Sequence, residues 1–291
     1  LSDELSALAD LLLDVVLGFA GRAVFGGDGL SPPPGFAVVG YGKLGGKELG
    51  YGSDLDIVFL YDESRNDEAE KLARVAQRVN TWLTSHTAAG VLYETDLRLR
   101  PDGAAGLMVS SFPSFRDYQA KRAWTWEHQA LTRARYCAGD AALGERFERL
   151  RREILSAPRD GAKLRAEIVA MRDKMRGEVK ADSRDLKHVA GGVIDLEFAV
   201  QALVLAESGR HPSLLDNKGN HQLLNRAGEM GIARRLPQRR GAPPPRRGRT
   251  RRRARRRAGA LEGRLRLGDC GDGSVTSLAV TTNAHAPASR R

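Results

Sequence analysis

The feature that most restricts the fold is a glycine-studded segment between two short apolar runs. "FAVVG" at 36–40 leads into "GYGKLGGKELGYGSD", and "DLDIVFLYD" at 54–62 follows it. Both apolar runs are rich in β-branched and aromatic residues and read as buried strands. The segment between them carries glycine at 40, 42, 45, 46 and 50, and again at 52. A plain tight turn needs one or two glycines, so this density indicates close approach of backbone to something else, with phosphate as the natural candidate. Lys43 and Ser53 would add a cation and a hydroxyl. The segment lacks the G-K-[ST] order of a P-loop, and it opens no dinucleotide-binding helix.

Asp54 and Asp56 lie two apart at the start of the second strand, so their side chains share a face. Two carboxylates so placed repel unless cations lie between them, and Mg²⁺ takes a few carboxylates together with phosphate oxygens and water. Taken alone, the same pair would also suit a polar strand end facing solvent. A third carboxylate, Asp96, falls within "VLYETDLRLR" (91–100), which reads as a third strand stopped by Pro101. If that strand lies beside the second, Asp96 joins the pair, with Glu94 as the fallback. Arg98 and Arg100 would then reach phosphates or stand as solvated strand residues.

The rest of the chain reads mostly as helix. Leu5, Leu8, Leu12, Val15 and Phe19 recur at helical spacing near the start, and a linker, "GGDGLSPPPG" (26–35), follows. Leu72, Val75, Val79 and Leu83 mark a helix within 66–87. Beyond Phe112, helical patterns span 112–120, 124–135, 141–156, 161–179, 192–208 and 219–230. The expectation is an α+β chain: an N-terminal helix and linker (1–35), a small mixed sheet with helices (36–111), a helical bundle domain (112–233) and an Arg-rich tail (234–291).

The net charge of +11 would ordinarily suggest a nucleic-acid partner. Its location argues otherwise. Seventeen Arg, no Lys and three acids (Glu262, Asp269, Asp272) lie past Ala233, leaving 30 basic and 33 acidic residues before it. The tail lacks apolar periodicity and cannot offset chain entropy by burial. Arg without Lys, with Gly, Ala and Pro, is what a GC-rich coding sequence yields out of frame. A frameshift near residue 233 is expected, with a nucleic-acid-binding arm as the alternative. Two cysteines, Cys137 and Cys270, support no disulfide framework, and a reducing cytoplasmic setting is expected. No run approaches the ~18 apolar residues of a membrane span.

Strand, glycine-rich turn, D-x-D strand and a later strand with a third Asp resembles the polymerase-β-type nucleotidyltransferase arrangement. The stretch 36–62 is similar to the signature of the bacterial glutamine synthetase adenylyltransferase/adenylyl-removing family. "LYETDLRLRPDGAAGLMVSSFPSF" (92–115), "AWTWEHQALTRAR" (123–135) and "GGVIDLEFAVQALVL" (191–205) resemble that family's later blocks in order. "VVGYGKLGGKELGYGSD" looks more like its C-terminal, adenylylating copy than its N-terminal, phosphorolytic one, and Gly52 departs from the usual Ser. The resemblance implies Mg²⁺-dependent AMP transfer from ATP to a tyrosine of glutamine synthetase. It implies Asp54, Asp56 and Asp96 as metal-binding and catalytic residues, and Gly42, Lys43, Gly45, Gly46 and Ser53 around the nucleotide. It also brings a PII-type nitrogen signal protein into view as a partner, with the phosphorolytic, adenylyl-removing copy and an inactive docking module as the rival readings. Within "AWTWEHQALTRAR" an amphipathic helix is the favoured reading, with Glu127 and Arg133 as supports of the site. Asp195 reads as a favourable charge at a helix N-terminus.

Overall fold

The computed structural model describes residues 1–178, 185–216 and 219–232, together with the backbone of Leu267–Asp269 and Val275–Leu278, which pair as an antiparallel ribbon. The Arg-rich tail and Cys270 otherwise lie outside the described residues.

Helix α1 (Ser2–Phe25) leads through the proline-rich linker to β1 (Phe36–Gly40), the single helical turn α2 (Gly42–Gly45) and β2 (Leu55–Tyr61). Next come α3 (Ala69–Thr84), β3 (Thr95–Asp96) and β4 (Val109–Ser111). Then follow α4 (Phe112–Lys121), α5 (Thr125–Leu131), β5 (Arg135–Gly139), α6 (Ala141–Ser156), α7 (Gly161–Glu178), α8 (Val193–Glu207) and α9 (Gly219–Glu229). The chain is α+β, with a small mixed sheet among many helices. β1 runs antiparallel to both β2 and β5, while β3 and β4 lie parallel to successive parts of β2.

The two-residue period of β1 divides the core. Phe36 and Val38 pack with Leu13 and Leu17 of α1 and with Leu72, Val75, Val79 and Leu83 of α3. Ala37 and Val39 face the other way, into a cluster reaching Phe115, Phe147, Leu203 and Leu223. The helical part and the sheet therefore share one core across the face that also bears the even-numbered residues of β2, Val58 and Leu60.

Three expectations need correction. The buried stripe of α1 is Ala9, Leu13, Leu17 and Ala20, whereas Leu8, Val15 and Phe19 stay at the surface. A helix apolar on two sides offers two stripes to periodicity, and the sheet takes the one with the smaller residues at its ends. The third strand is two residues long, not ten. The Asp96 carboxylate accepts the Arg98 N–H at 2.8 Å, a local turn that bends the chain away from the ladder. Finally, 124–135 is not one helix: α5 ends at Leu131, and Arg135 opens β5 on the free edge of β1. Arg135 is held there by a bidentate pair with Asp10 of α1 (2.7 and 2.8 Å), and Asp14 accepts the Gly139 N–H at 3.0 Å.

Among the described residues no helix is long and apolar enough to cross a membrane.

The assignment of the α1 face is tested by paired truncations. Leu13→Ala should cost about 2–5 kcal/mol, as a fully buried leucine does. Leu8→Ala should stay within about 0.5 kcal/mol. Urea unfolding midpoints measure both, and equal costs would show that the wrong stripe has been placed inside.

Candidate active site

The glycine turn is positioned by protein packing before any ligand is considered. Arg133 and Arg135, both buried, donate to its carbonyls: Arg133 Nε to Gly42 O at 3.1 Å, and Arg135 Nε to Leu44 O at 3.2 Å. The approach is so close that a Cβ on Gly45 would lie 1.9 Å from the Arg133 carbonyl oxygen, and one on Gly46 would lie 2.6 Å from the Arg133 guanidinium. The small size of Gly45 and Gly46 thus serves docking onto Arg133. The amides of Gly45, Gly46 and Glu48 are bonded within the turn, to Tyr41, Gly42 and Lys43 carbonyls.

Gly42 is the glycine that meets the carboxylates. Its φ is +52°, and an added Cβ would fall 2.1 Å from Asp56 Oδ2. The Tyr41 N–H donates to the Asp56 carbonyl at 2.8 Å, which pins the start of the turn to β2. Past the turn, Ser53 is buried, and its hydroxyl accepts the Gly50 N–H at 3.0 Å. Exposed Lys43 reaches the same oxygen at 3.4 Å, so Ser53 ties the loop end back to its basic side chain.

The expected adjacency of the third carboxylate is present. β2 and β3 pair in parallel with Leu55 opposite Thr95 and Asp56 opposite Asp96, and the Leu55 N–H donates to the Glu94 carbonyl at 2.9 Å. Thr95 is anchored to α3 by its hydroxyl, which donates to Asn80 Oδ1 at 2.6 Å. Glu94 itself is exposed and takes no part in the pairing of carboxylates.

The charge at this point is unbalanced. Burial first, then the neighbouring Asp54 and Asp96, push the Asp56 carboxyl up to about 6, against a smaller opposing pull from Arg98 and Lys43. Asp96 behaves oppositely, because the Arg98 guanidinium grips it at 2.9 and 3.1 Å through Nε and holds its carboxyl below the usual range. Among the described residues, no three Asp, Glu, His or Cys side chains already converge as a metal cage. The donor set nonetheless fits a hard divalent cation. Asp54 is open to solvent, Asp56 is short of positive charge, and Asp96 lies one strand away, paired with an exposed arginine.

Several other candidates have structural work. Arg100 uses its hydrogen bonds on its own loop, donating to the carbonyls of Leu97 (2.7 Å), Ala104 (3.0 Å) and Gly106 (3.2 Å), and acts on Asp96 only through its charge. Glu127 joins α4 to α5, accepting the Tyr118 hydroxyl at 2.7 Å and the Trp124 N–H at 2.8 Å. His128 bridges Gln119 and Arg159, and burial lowers its pKa. Asp195 is buried at the start of α8, where Arg172, Arg176 and the Gly191 N–H surround it. A hollow lined by Tyr61, Ser111, Tyr118 and Arg122 lies at the far end of β2 and shares no residue with this site. Arg135 stands in the sequence only as the second arginine of "AWTWEHQALTRAR", two residues after Arg133, with no support of the site expected of it.

Asp56 makes the electrostatics measurable. Its proton affinity is raised in the folded state, so its contribution to stability is fully present below pH ~4 and is lost as pH rises through about 6. Above that pH the ionised carboxyl opposes folding. Asp56→Asn should therefore stabilise the metal-free protein by about 1–2 kcal/mol at pH 7 and leave it nearly unchanged at pH 4. Denaturant titrations at the two pH values test this, and equal stability of variant and parent at pH 7 would contradict it.

Known proteins place the same residues in context. The sequence profile of the glutamate-ammonia ligase adenylyltransferase family matches residues 1–150. A bifunctional glutamine synthetase adenylyltransferase/adenylyl-removing enzyme of Aromatoleum aromaticum is 56% identical over 234 residues, covering 80% of this chain and 25% of that protein. Proteins of the same description from Nitrosomonas eutropha (55%, covering 80% of this chain and 25% of that protein) and Chromobacterium violaceum (54%, 80% and 26%) are similar. The chain thus spans about a quarter of the length of the curated relatives it matches. On the strength of the profile over the glycine turn, the paired aspartates and β5, this chain belongs to the glutamate-ammonia ligase adenylyltransferase family.

Proposed function

We propose that this chain is a nucleotidyltransferase of the polymerase-β type that moves AMP from ATP to a tyrosine hydroxyl of glutamine synthetase and releases pyrophosphate. The observation carrying this reading is the pairing of Asp56 with Asp96 across two parallel strands, with Asp54 beside them and the bare Cα of Gly42 in front. The names of the relatives supply the protein substrate.

Asp54 and Asp56 would hold Mg²⁺, with Asp96 joining as Arg98 releases it. Bound there, Mg²⁺ supplies charge neutralisation for the phosphates. Lys43 and the first-turn amides of α2, which a helix leaves unpaired at its start, would hold the triphosphate. The nucleophile is a phenol with pKa near 10, mostly protonated at neutral pH. Asp96 would accept that proton as the phenol oxygen attacks the α-phosphorus. The bond from the α-phosphorus to the bridging oxygen breaks, and pyrophosphate leaves with that electron pair. Arg98, freed from Asp96, is then available to the leaving phosphates.

The test is incubation of the full chain with glutamine synthetase, Mg²⁺ and α-labelled ATP. Label should appear on glutamine synthetase, and Asp56→Asn should reduce it to background while retaining a cooperative unfolding transition. Full activity in Asp56→Asn would refute the site. Formation of ADP from adenylylated glutamine synthetase and phosphate, with no forward labelling, would instead assign the adenylyl-removing direction that the relatives' names also contain. Neither product would leave a docking module.

A further inference from the structure

Glu48 takes no part in the chemistry above, yet both of its carboxylate oxygens are engaged. Oε2 accepts Arg133 Nη2 at 2.6 Å and Asn220 Nδ2 at 3.0 Å, while Oε1 accepts the Asn220 backbone N–H at 2.6 Å. Asn220 lies in the first turn of α9, where a helix has N–H groups to satisfy and favours an anion. The preceding residue, Gly219, has φ +78°, and a Cβ there would stand 2.9 Å from Glu48 Oε1. The helix start is therefore fitted around this carboxylate.

Arg133 carries the connection onward. It is 7% exposed, and besides Glu48 it bonds the Gly42 carbonyl and lies 3.8 Å from Glu197 of α8. A continuous polar path thus runs from Asn220 through Glu48 and Arg133 to Gly42, the residue whose Cα faces Asp56. Each link is short and mostly buried, and all three are charge-assisted, the kind of hydrogen bond that costs most when one partner is removed.

We propose that Glu48 and Arg133 are positioning residues through which the seating of α9 sets the grip of the glycine turn on ATP. The proposal rests on the AMP-transfer reading of the site. With α9 seated, Glu48 orients Arg133 and Arg133 holds the Gly42 carbonyl, so the turn presents its free amides at a fixed distance from Asp56. With Asn220 withdrawn, Glu48 loses two of its three donors, Arg133 loses its orientation, and the turn loosens. Anything that shifts α9 then changes nucleotide affinity without touching the carboxylates.

The full chain and its Glu48→Gln and Asn220→Ala variants are compared by three measurements: calorimetric binding of a non-hydrolysable Mg·ATP analogue, Mn²⁺ binding without nucleotide, and thermal unfolding. Glu48→Gln should weaken the analogue about tenfold, as loss of one charge-assisted bond does, and Asn220→Ala about threefold. Mn²⁺ binding should remain at the parent value in both, and in steady-state assays the loss should appear in KM for ATP and not in kcat. Unchanged analogue affinity in both variants, or parallel loss of Mn²⁺ and analogue binding, would overturn the coupling. Should Glu48→Gln not fold, Asn220→Ala decides alone, since it removes one side-chain bond and keeps the backbone one. A parent chain that fails to bind the analogue would sink the AMP-transfer reading together with this one. A parent that binds while the variants match it sinks the coupling only.

Discussion

The docking of the glycine turn onto Arg133 and Arg135 is the contact on which the site depends. Two buried guanidinium groups are expensive to desolvate, and they are retained where fixed acceptors satisfy them. Here the acceptors include carbonyls of α2, at Gly42 and Leu44, and the carboxylates of Glu48 and Asp10. The arrangement needs glycine at 45 and 46, because any side chain there would meet the Arg133 backbone or guanidinium. Once the turn is seated, Gly42 has no freedom to move away from Asp56, and the tight turn that looks like a ligand cradle is first a packing device.

Charge does the opposite work a few ångströms away. Asp54, Asp56 and Asp96 are brought near one another without an equal number of cations, and this repulsion adds to burial in raising the Asp56 carboxyl. Arg98 relieves the part of it carried by Asp96, from an exposed position that it can leave at little cost. The buried arginines fix the geometry and the exposed one compensates charge, a division that follows from burial alone. The same side-chain type is costly to move in one place and cheap to move in the other.

Much of this was legible from residue pattern. The strands at 36–40 and 54–62, and the α3 face through Leu72, Val75, Val79 and Leu83, follow from periodicity because their burial is one-sided or complete. The pairing of Asp96 with the Asp54 and Asp56 strand was likewise anticipated and is present in register. What escaped the pattern depends on distant partners. Strand β5 is hidden because Arg133 and Arg135 read as the polar side of a helix until Gly42, Leu44 and Asp10 are in place to receive them. Asp10 and Asp14 stand within the apolar pattern of α1 with no local partner to announce them, and they hold β5 through Arg135 and the Gly139 N–H. The wrong stripe of α1 was favoured because its larger side chains dominate periodicity, while the buried stripe includes two alanines.

These long-range partners bear on how the site is built along the chain. The carboxylates come from 54–56 and 96, the turn from 42–46, and its support from 133–135, with Asp10 behind it and Glu48 tied to Asn220. Residues 36–111 taken by themselves would hold all three aspartates, yet β1 would present an open edge where β5 belongs, and unpaired strand edges invite wrong pairing. The glycine turn would also lose both guanidinium donors, leaving the Gly42 and Leu44 carbonyls without those partners. The three carboxylates are thus local in sequence, but the geometry that would make them useful is assembled from nearly the whole described chain, including the helical part that touches no carboxylate of the site.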